Sequence, residues 1–191
     1  ADAFLETAKT ALAATNAQTM LTDGIANAYR AGADRIAGTE GVQAVLTSTC
    51  DLRNATPYLF ATTGENWLGN HVLGEEVFGP LGILVTVKDK AEMVKIAESF
   101  VGQLTTTLHM DDGDMSTAQA LLPILERKSG RVLANGFPTG VEVCDAMVHG
   151  GPYPATTNFG ATSVGTMAIR RFLRPVSYQN IPAALLPEDL R

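Results

Sequence analysis

The sequence is poor in the residues that most often carry disulfide, redox or metal chemistry. It contains two cysteines, three histidines and one tryptophan in 191 residues. Two cysteines, Cys50 and Cys144, do not make a disulfide framework, so we expect a reducing, cytoplasmic setting. His71, His109 and His149 are scattered without metal-ligand spacing, and we therefore predict no metal site.

Basic runs and long apolar runs are missing too. The formal net charge is −6, which argues against a nucleic acid partner. No apolar stretch approaches the roughly 18 residues needed to span a bilayer, so we expect no membrane partner. No signal peptide is visible. The chain opens on Ala1-Asp2 rather than on Met, so we expect it to begin within a longer protein or after processing.

The sequence does contain enough apolar residues, 46% against 18% charged, to build a core, and its length predicts one domain of ordinary size. Strands that alternate with helices predict a parallel α/β architecture. Apolar spacing predicts helices around Phe4–Leu12, Met20–Tyr29 (ended by Gly32), Asp89–Phe100 and Met115–Lys128 (ended by Gly130). The predicted strands are Val42–Leu46, Tyr58–Thr62, Ile83–Val87, Gln103–Leu108, Val132–Ala134 and Val176–Gln179.

The most informative run is Glu75-Glu76-Val77-Phe78-Gly79-Pro80, just before a predicted buried strand. A carboxylate can accept two hydrogen bonds from a vicinal diol. In an extended backbone the ring two residues later lies on the same side, because side chains alternate along the chain. Glu76 and Phe78 could therefore hold a ribose and cover a flat heteroaromatic ring. The alternative is two solvated acids before a turn and a Phe in the core.

This run resembles the E-E-x-F-G-P motif of the aldehyde dehydrogenase superfamily, in which the second Glu hydrogen-bonds the nicotinamide ribose and the Phe packs beside it. The resemblance implies a three-layer α/β/α catalytic domain with a parallel sheet, and NAD or NADP as cofactor. It continues, over essentially the whole chain, through Gly130–Asn135, the glycine-rich Val148–Tyr153 and the closing Arg170–Asn180. The stretch His149–Thr157 and this ending look most like the branch that oxidises α-ketoglutaric semialdehyde to the carboxylic acid.

Carried over by position, the resemblance assigns cofactor binding to Glu76 and Phe78. In the family the glycine-rich loop lines the substrate entrance, which makes Tyr153, Phe159 and His149 the nearest candidates for contact with the aldehyde. Ordinary loop packing is the alternative for both aromatic residues. The implied division is 1–173 for part of the catalytic domain and 174–191 for a C-terminal strand and tail that join a homo-oligomer.

One departure from the family pattern is large. The family's catalytic thiol lies in a G-Q-x-C-type motif, and neither Cys50 nor Cys144 has that context. No G-x-G-x-x-G run occurs either. The resemblance therefore implies the C-terminal portion of a larger subunit, about two fifths of its length, without a catalytic residue of its own. Such a chain would be inactive alone and would work with the rest of the subunit, which carries the cofactor domain.

Other interpretations stay open at this point. The chain could be a non-catalytic α/β binding or assembly module that keeps the scaffold. Cys50 or Cys144 could be the thiol of another transferase or hydrolase, although Asp145 beside Cys144 disfavours a thiolate. Asp111, Asp112 and Asp114 lack the calcium-loop pattern, and we expect a turn before a helix. We expect Asn135 to satisfy backbone groups of a neighbouring loop.

Overall fold

A computed structural model describes residues 2–48, 51–138, 140–141 and 143–191. The interpretation of Cys50 as the thiol of another transferase or hydrolase concerns a residue outside these ranges. By its contacts the chain divides into two compact units. Unit 1 comprises Ala1–Phe100 and Asp114–Ile124, and unit 2 comprises Val101–Gly113 and Leu125–Arg191.

The helices and strands of unit 1 are α1 (Asp2–Ala13), β1 (Gln18–Thr19), α2 (Asp23–Ala37), β2 (Gln43–Leu46), β3 (Asn54–Ala55), β4 (Tyr58–Thr63), α3 (Gly64–Gly69), β5 (Leu81–Thr86) and α4 (Lys90–Ser99). The unit is built around a three-stranded sheet in the order β2-β4-β5. β4 pairs with β5 in parallel, with Tyr58 opposite Leu81 and Thr63 opposite Thr86, and β2 pairs with β4 antiparallel. A second, antiparallel pair joins β1 to β3.

The core of unit 1 lies where α2 meets this sheet. Ile36 of α2, Phe60 of β4 and Leu73 form a buried cluster. Every third or fourth residue of α2 is apolar or small, which gives the helix one buried face. That face consists of Ala26, Tyr29, Gly32, Ala33 and Ile36.

Side chains fix where the helices of unit 1 begin. Thr22 accepts a hydrogen bond from the Ile25 N–H (3.1 Å), which starts α2. Asp89 accepts one from the Glu92 N–H (2.8 Å) at the start of α4. The Glu92 carboxylate in turn accepts a hydrogen bond from the Lys88 N–H (2.7 Å), which lies one residue before the cap residue Asp89. Asp89 and Glu92 thus form a capping box whose second bond is displaced by one residue.

Unit 2 contains a parallel pair, β6 (Gln103–Leu108) and β7 (Ser129–Ala134). The helix α5 (Met115–Lys128) leads into β7 without a break and continues through Pro123. Its residues up to Ile124 are counted with unit 1 and its last turn with unit 2. After β7, the described residues of unit 2 form irregular chain with three short 3₁₀ helices, Thr166–Phe172, Ala183–Leu185 and Glu188–Leu190.

The α/β class is confirmed, with differences in detail. The described strands form mixed sheets rather than a purely parallel one, because β1, β2 and β3 pair antiparallel. One helix end was predicted wrongly, since α2 runs past Gly32 to Ala37. The predicted end of α5 at Lys128 is confirmed, although Gly130 lies within β7 rather than in a break after the helix.

The predicted strand Val176–Gln179 is not formed; these residues are exposed and belong to no ladder. A strand needs a neighbouring chain for its hydrogen bonds, and no described segment pairs with this one. Within the described ranges, no helix is both long and apolar enough to cross a membrane.

Candidate cofactor and substrate sites

The segment 75–80, which we call the acidic–aromatic motif, links a 3₁₀ helix (His71–Gly74) to β5. One face of α2 holds it at three successive points. First, Arg35 Nη2 lies 3.0 Å from Glu75 Oε2, an ion pair with both side chains about half exposed. The first acid of the motif is therefore already paired within the chain.

The second and third points are close packing contacts. Val77 packs on Gly32 and adjoins the core cluster. Gly79 lies against the ring of Tyr29, where any larger residue would overlap the ring. The Tyr29 hydroxyl also donates towards the carbonyls of Pro80 and Thr56, each at 3.1 Å. Tyr29 is fully buried, so the motif ends on a rigid support.

Glu76 and Phe78 alternate with these anchored residues. Both are exposed, and 67% of the Phe78 surface remains accessible. In contrast to Glu75, Glu76 forms no hydrogen bond or ion pair with any residue that the structure describes. A large exposed ring beside an unpaired carboxylate is an arrangement that can accept a diol and cover an aromatic ligand.

Behind the motif, unit 1 has an open groove of about 230 Å³. The single tryptophan of the chain, Trp67, lies in it and packs edge-to-face on Phe100 with ring centroids 6.3 Å apart. The other lining residues are Leu73, Glu75, Val77, Leu81 and Ile83. Trp67 therefore shares a groove with two anchored residues of the motif.

The three predicted substrate residues lie in unit 2, on the long segment after β7. Tyr153 and Phe159 are 76% and 84% exposed, and His149 is exposed as well. None of the three packs into a core among the described residues, and their place at the substrate entrance stays a prediction. The Tyr153–Pro154 peptide bond is cis.

The backbone of this segment is firmly held although its side chains are free. The His149 N–H donates to the buried Thr162 hydroxyl (2.9 Å), and the His149 carbonyl accepts from the Ser163 N–H (3.3 Å). Gly102, just before β6, donates its N–H to the Tyr153 carbonyl (3.3 Å). Tyr153 and His149 are thus presented by a fixed main chain.

Two further sequence predictions can be compared with the structure. Asn135 adopts φ +51°, accepts from the Met110 N–H (2.8 Å) and donates to the Met110 carbonyl (2.9 Å). It satisfies backbone groups, as predicted. Cys144 is a free, half-buried thiol. Among the described residues, no group of His, Cys, Asp or Glu side chains is arranged to hold a metal ion.

Curated relatives match along the full length of the chain. An alpha-ketoglutaric semialdehyde dehydrogenase 2 of Azospirillum brasilense is 48% identical over 195 aligned positions, which cover 100% of this chain and 37% of the relative. The chain belongs to the aldehyde dehydrogenase superfamily. An alpha-ketoglutaric semialdehyde dehydrogenase of Acinetobacter baylyi is 45% identical, over 99% of the chain and 36% of the relative.

Solved aldehyde dehydrogenase structures share the fold. The glyceraldehyde-3-phosphate dehydrogenase GapN of Methanocaldococcus jannaschii, complexed with NADP, superimposes with a TM-score of 0.63 at 20% identity. The match covers 79% of this chain and 33% of that one. No protein-family profile matches the chain. The chain spans a little over a third of the length of its curated relatives, in line with the expected part of a subunit.

Sequence reasoning missed the residues that support the acidic–aromatic motif. Tyr29 was assigned only to a helix and Gly32 only to its end, and Arg35 was assigned to no element. The available signal was their spacing, since residues three apart lie on one helix face. Nothing in that spacing says which segment the face contacts, so the support became visible only in the structure.

Proposed function

We propose that the complete protein oxidises an aldehyde, α-ketoglutaric semialdehyde, to the carboxylic acid with NAD or NADP. In this proposal the present chain orients the cofactor and lines part of the substrate entrance. The observation that carries the proposal is the 48% identity to a semialdehyde dehydrogenase along the whole chain, together with the exposed and unpaired Glu76 beside Phe78.

Glu76 and Phe78 hold the nicotinamide end of the cofactor. The Glu76 carboxylate accepts hydrogen bonds from both ribose hydroxyls, and the Phe78 ring packs beside the sugar. When bound, the dinucleotide supplies the hydride acceptor. Because α2 fixes residues 75, 77 and 79, Glu76 meets the diol in one geometry, and misplacement of about 1 Å can reduce the rate on the order of 10²-fold.

Tyr153, Phe159 and His149 contact the aldehyde on its way in. Their exposure supports this role, since an entrance needs apolar rings that are not already packed. The semialdehyde carries an acid end, to which the ring N–H of His149 could donate a hydrogen bond. The names of both curated relatives support α-ketoglutaric semialdehyde as the substrate.

The catalytic thiol and most of the dinucleotide site come from the rest of the subunit. Cys144 is half buried and lies beside Asp145, a poor setting for a nucleophile. We further propose a cytoplasmic homo-oligomer, in which residues 174–191 find a pairing chain. Support comes from exposed apolar side chains of that tail, Val176, Tyr178 and Ile181.

The test is Glu76→Gln in the complete subunit. The amide keeps the shape but loses the charge and half of the acceptor capacity. We expect hydride transfer in single turnovers to slow by at least about tenfold, with little change in aldehyde binding. Glu98→Gln, an exposed acid on α4, is the matched control. Equal hydride-transfer rates in wild type and Glu76→Gln would contradict the assigned role.

The same preparations test which aldehyde is the substrate and whether the chain needs the rest of the subunit for activity. Among semialdehydes of increasing length, the highest kcat/KM should belong to α-ketoglutaric semialdehyde, with either NAD or NADP as the better cofactor. The 191-residue chain alone should not oxidise it. Oxidation by the chain alone would overturn the shared-site proposal, and an inactive complete subunit would favour the binding-module interpretation.

A further inference from the structure

The two adjacent acids of the motif differ in their surroundings. Glu75 is paired with Arg35 at 3.0 Å, whereas Glu76 has no partner among the described residues. Chemically the two side chains are the same, and one peptide unit separates them. Something in the fold must therefore decide which carboxylate is available to a ligand, and the Arg35–Glu75 pair is the contact that distinguishes them.

We propose that Arg35 is a positioning residue that reserves Glu76 for the cofactor by holding Glu75. The inference rests on the proposed cofactor role of Glu76. Arg35 acts in two ways. Its guanidinium neutralises the acid next to Glu76, and its grip on Glu75 fixes the start of the motif, upstream of the contacts made by Val77 and Gly79.

The position of the anchor explains why its loss would act locally. Val77 on Gly32 and Gly79 on Tyr29 hold the end of the motif by packing. The start of the motif has the ion pair, which is about half exposed on both sides. Exposed ion pairs contribute little to global stability. Removal of Arg35 should therefore leave the fold intact and free the peptide that carries Glu76.

The proposal predicts a specific kinetic pattern in the complete subunit. Arg35→Met should slow hydride transfer by about three- to tenfold, because small misplacements reduce rate steeply, with aldehyde KM unchanged. Arg35→Lys keeps the charge and should recover most of the rate. Arg30→Met is the matched control: Arg30 lies on the same helix but donates to the Leu52 carbonyl and to Asn27.

A double-mutant cycle tests whether Arg35 acts through Glu75. Two mutations on one pair should not be additive. In the Glu75→Gln background, the further change Arg35→Met should therefore alter hydride transfer less than about twofold. An undiminished effect of Arg35→Met in that background would overturn the proposal, since Arg35 would then act elsewhere.

A readout without cofactor separates positioning from catalysis. Trp67, the single tryptophan, lines the same groove as Glu75 and Val77. Arg35→Met should speed amide hydrogen exchange at residues 75–77 and shift Trp67 emission, while the urea midpoint stays at the wild-type value. Unchanged exchange and emission would overturn the proposal, and so would a full rate in Arg35→Met.

The outcomes also separate this inference from the proposed function. If Glu76→Gln transfers hydride at the wild-type rate, the cofactor role fails, and the inference falls with it. If Glu76→Gln is slow but Arg35→Met behaves like Arg30→Met, the cofactor role stands and only the role of Arg35 is wrong.

Discussion

Val77 lies so close to Gly32 that a Cβ built on the glycine would stand 2.8 Å from Val77 Cγ1. Val77 belongs to the acidic–aromatic motif, and Gly32 lies in the middle of α2, where glycine is otherwise unfavourable by about 1 kcal/mol relative to alanine. A helix interior thus accepts a poor helix former because the motif needs the space. This contact sets how closely the motif packs against α2.

Gly32→Ala should destabilise the protein. Both methyl carbons of Val77 would lie within 3.0 Å of an added Cβ, so Val77 or the helix would have to shift. We expect overpacking of about 1–3 kcal/mol to exceed the gain in helix propensity of about 1 kcal/mol. Urea unfolding measures the difference.

Gly24→Ala is the matched control for this change. Gly24 is exposed in the first turn of the same helix, and only the Thr22 hydroxyl lies near its side-chain position, at 3.8 Å. This substitution should be neutral or stabilising by up to about 1 kcal/mol. If Gly32→Ala were as stable as Gly24→Ala, the close packing of Val77 would be contradicted.

Tyr29→Phe tests the third point of support. The change keeps the ring beneath Gly79 and removes the buried hydroxyl that bonds towards the Thr56 and Pro80 carbonyls. We expect a loss of about 1–2 kcal/mol in the free energy of unfolding. Tyr178→Phe, at a half-exposed tyrosine of the tail, should stay within about 0.5 kcal/mol. A loss no larger than that of the control would speak against the hydroxyl contacts.

Asp89 provides a test of the α4 start. Asp89→Ala removes the oxygen that accepts from the Glu92 N–H and should cost about 1 kcal/mol in thermal or urea unfolding. Asp89→Asn retains an acceptor of the same reach and should cost only a fraction of that. Equal losses in both variants would mean that charge, rather than the cap bond, carries the effect.

Local patterns predicted most elements of this fold, and their limits follow from non-local contacts. The range Gln103–Leu108 was predicted to the residue because a run of β-branched threonines just after Gly102 is a local signal of a strand. The end of α2 was misplaced because Gly32 serves a packing contact with a segment some 40 residues away. The tail Val176–Gln179 has strand character but no pairing chain, and pairing cannot be read from one segment alone.

The site was predictable by resemblance in its exposed residues and not in its support. Glu76, Phe78 and Tyr153 belong to recognisable runs, and all three are exposed; their roles remain predictions. Arg35 and Tyr29 belong to no such run. Their importance depends on which segment crosses their helix face, and that is a property of the folded chain.

Tyr153→Ala and Phe159→Ala test the substrate entrance in the complete subunit. Both side chains are exposed, so neither change should shift the unfolding midpoint. If the rings cover the aldehyde, KM should rise by about tenfold or more, because burial of one apolar side chain stabilises by about 1.5–3 kcal/mol and about 1.4 kcal/mol corresponds to tenfold. Phe172→Ala removes a ring that is 82% exposed outside the loop and should leave KM unchanged. If all three variants had the wild-type KM, the loop would not line the substrate entrance.

Asn135 carries the last prediction, because two separable effects meet at one residue of unit 2. Its φ of +51° lies in the left-handed region, where a residue with a Cβ other than Asn or Asp is disfavoured by about 1–2 kcal/mol. Its amide also makes both hydrogen bonds to Met110, which together stabilise by about 1–2 kcal/mol.

Asn135→Ala should lose both contributions, and Asn135→Gly only the hydrogen bonds, because glycine adopts this conformation freely. The alanine variant should therefore unfold at lower urea than the glycine variant, and the glycine variant at lower urea than wild type. If the alanine and glycine variants were equally stable, the left-handed geometry would be wrong. If the glycine variant matched wild type, the side-chain bonds to Met110 would contribute nothing.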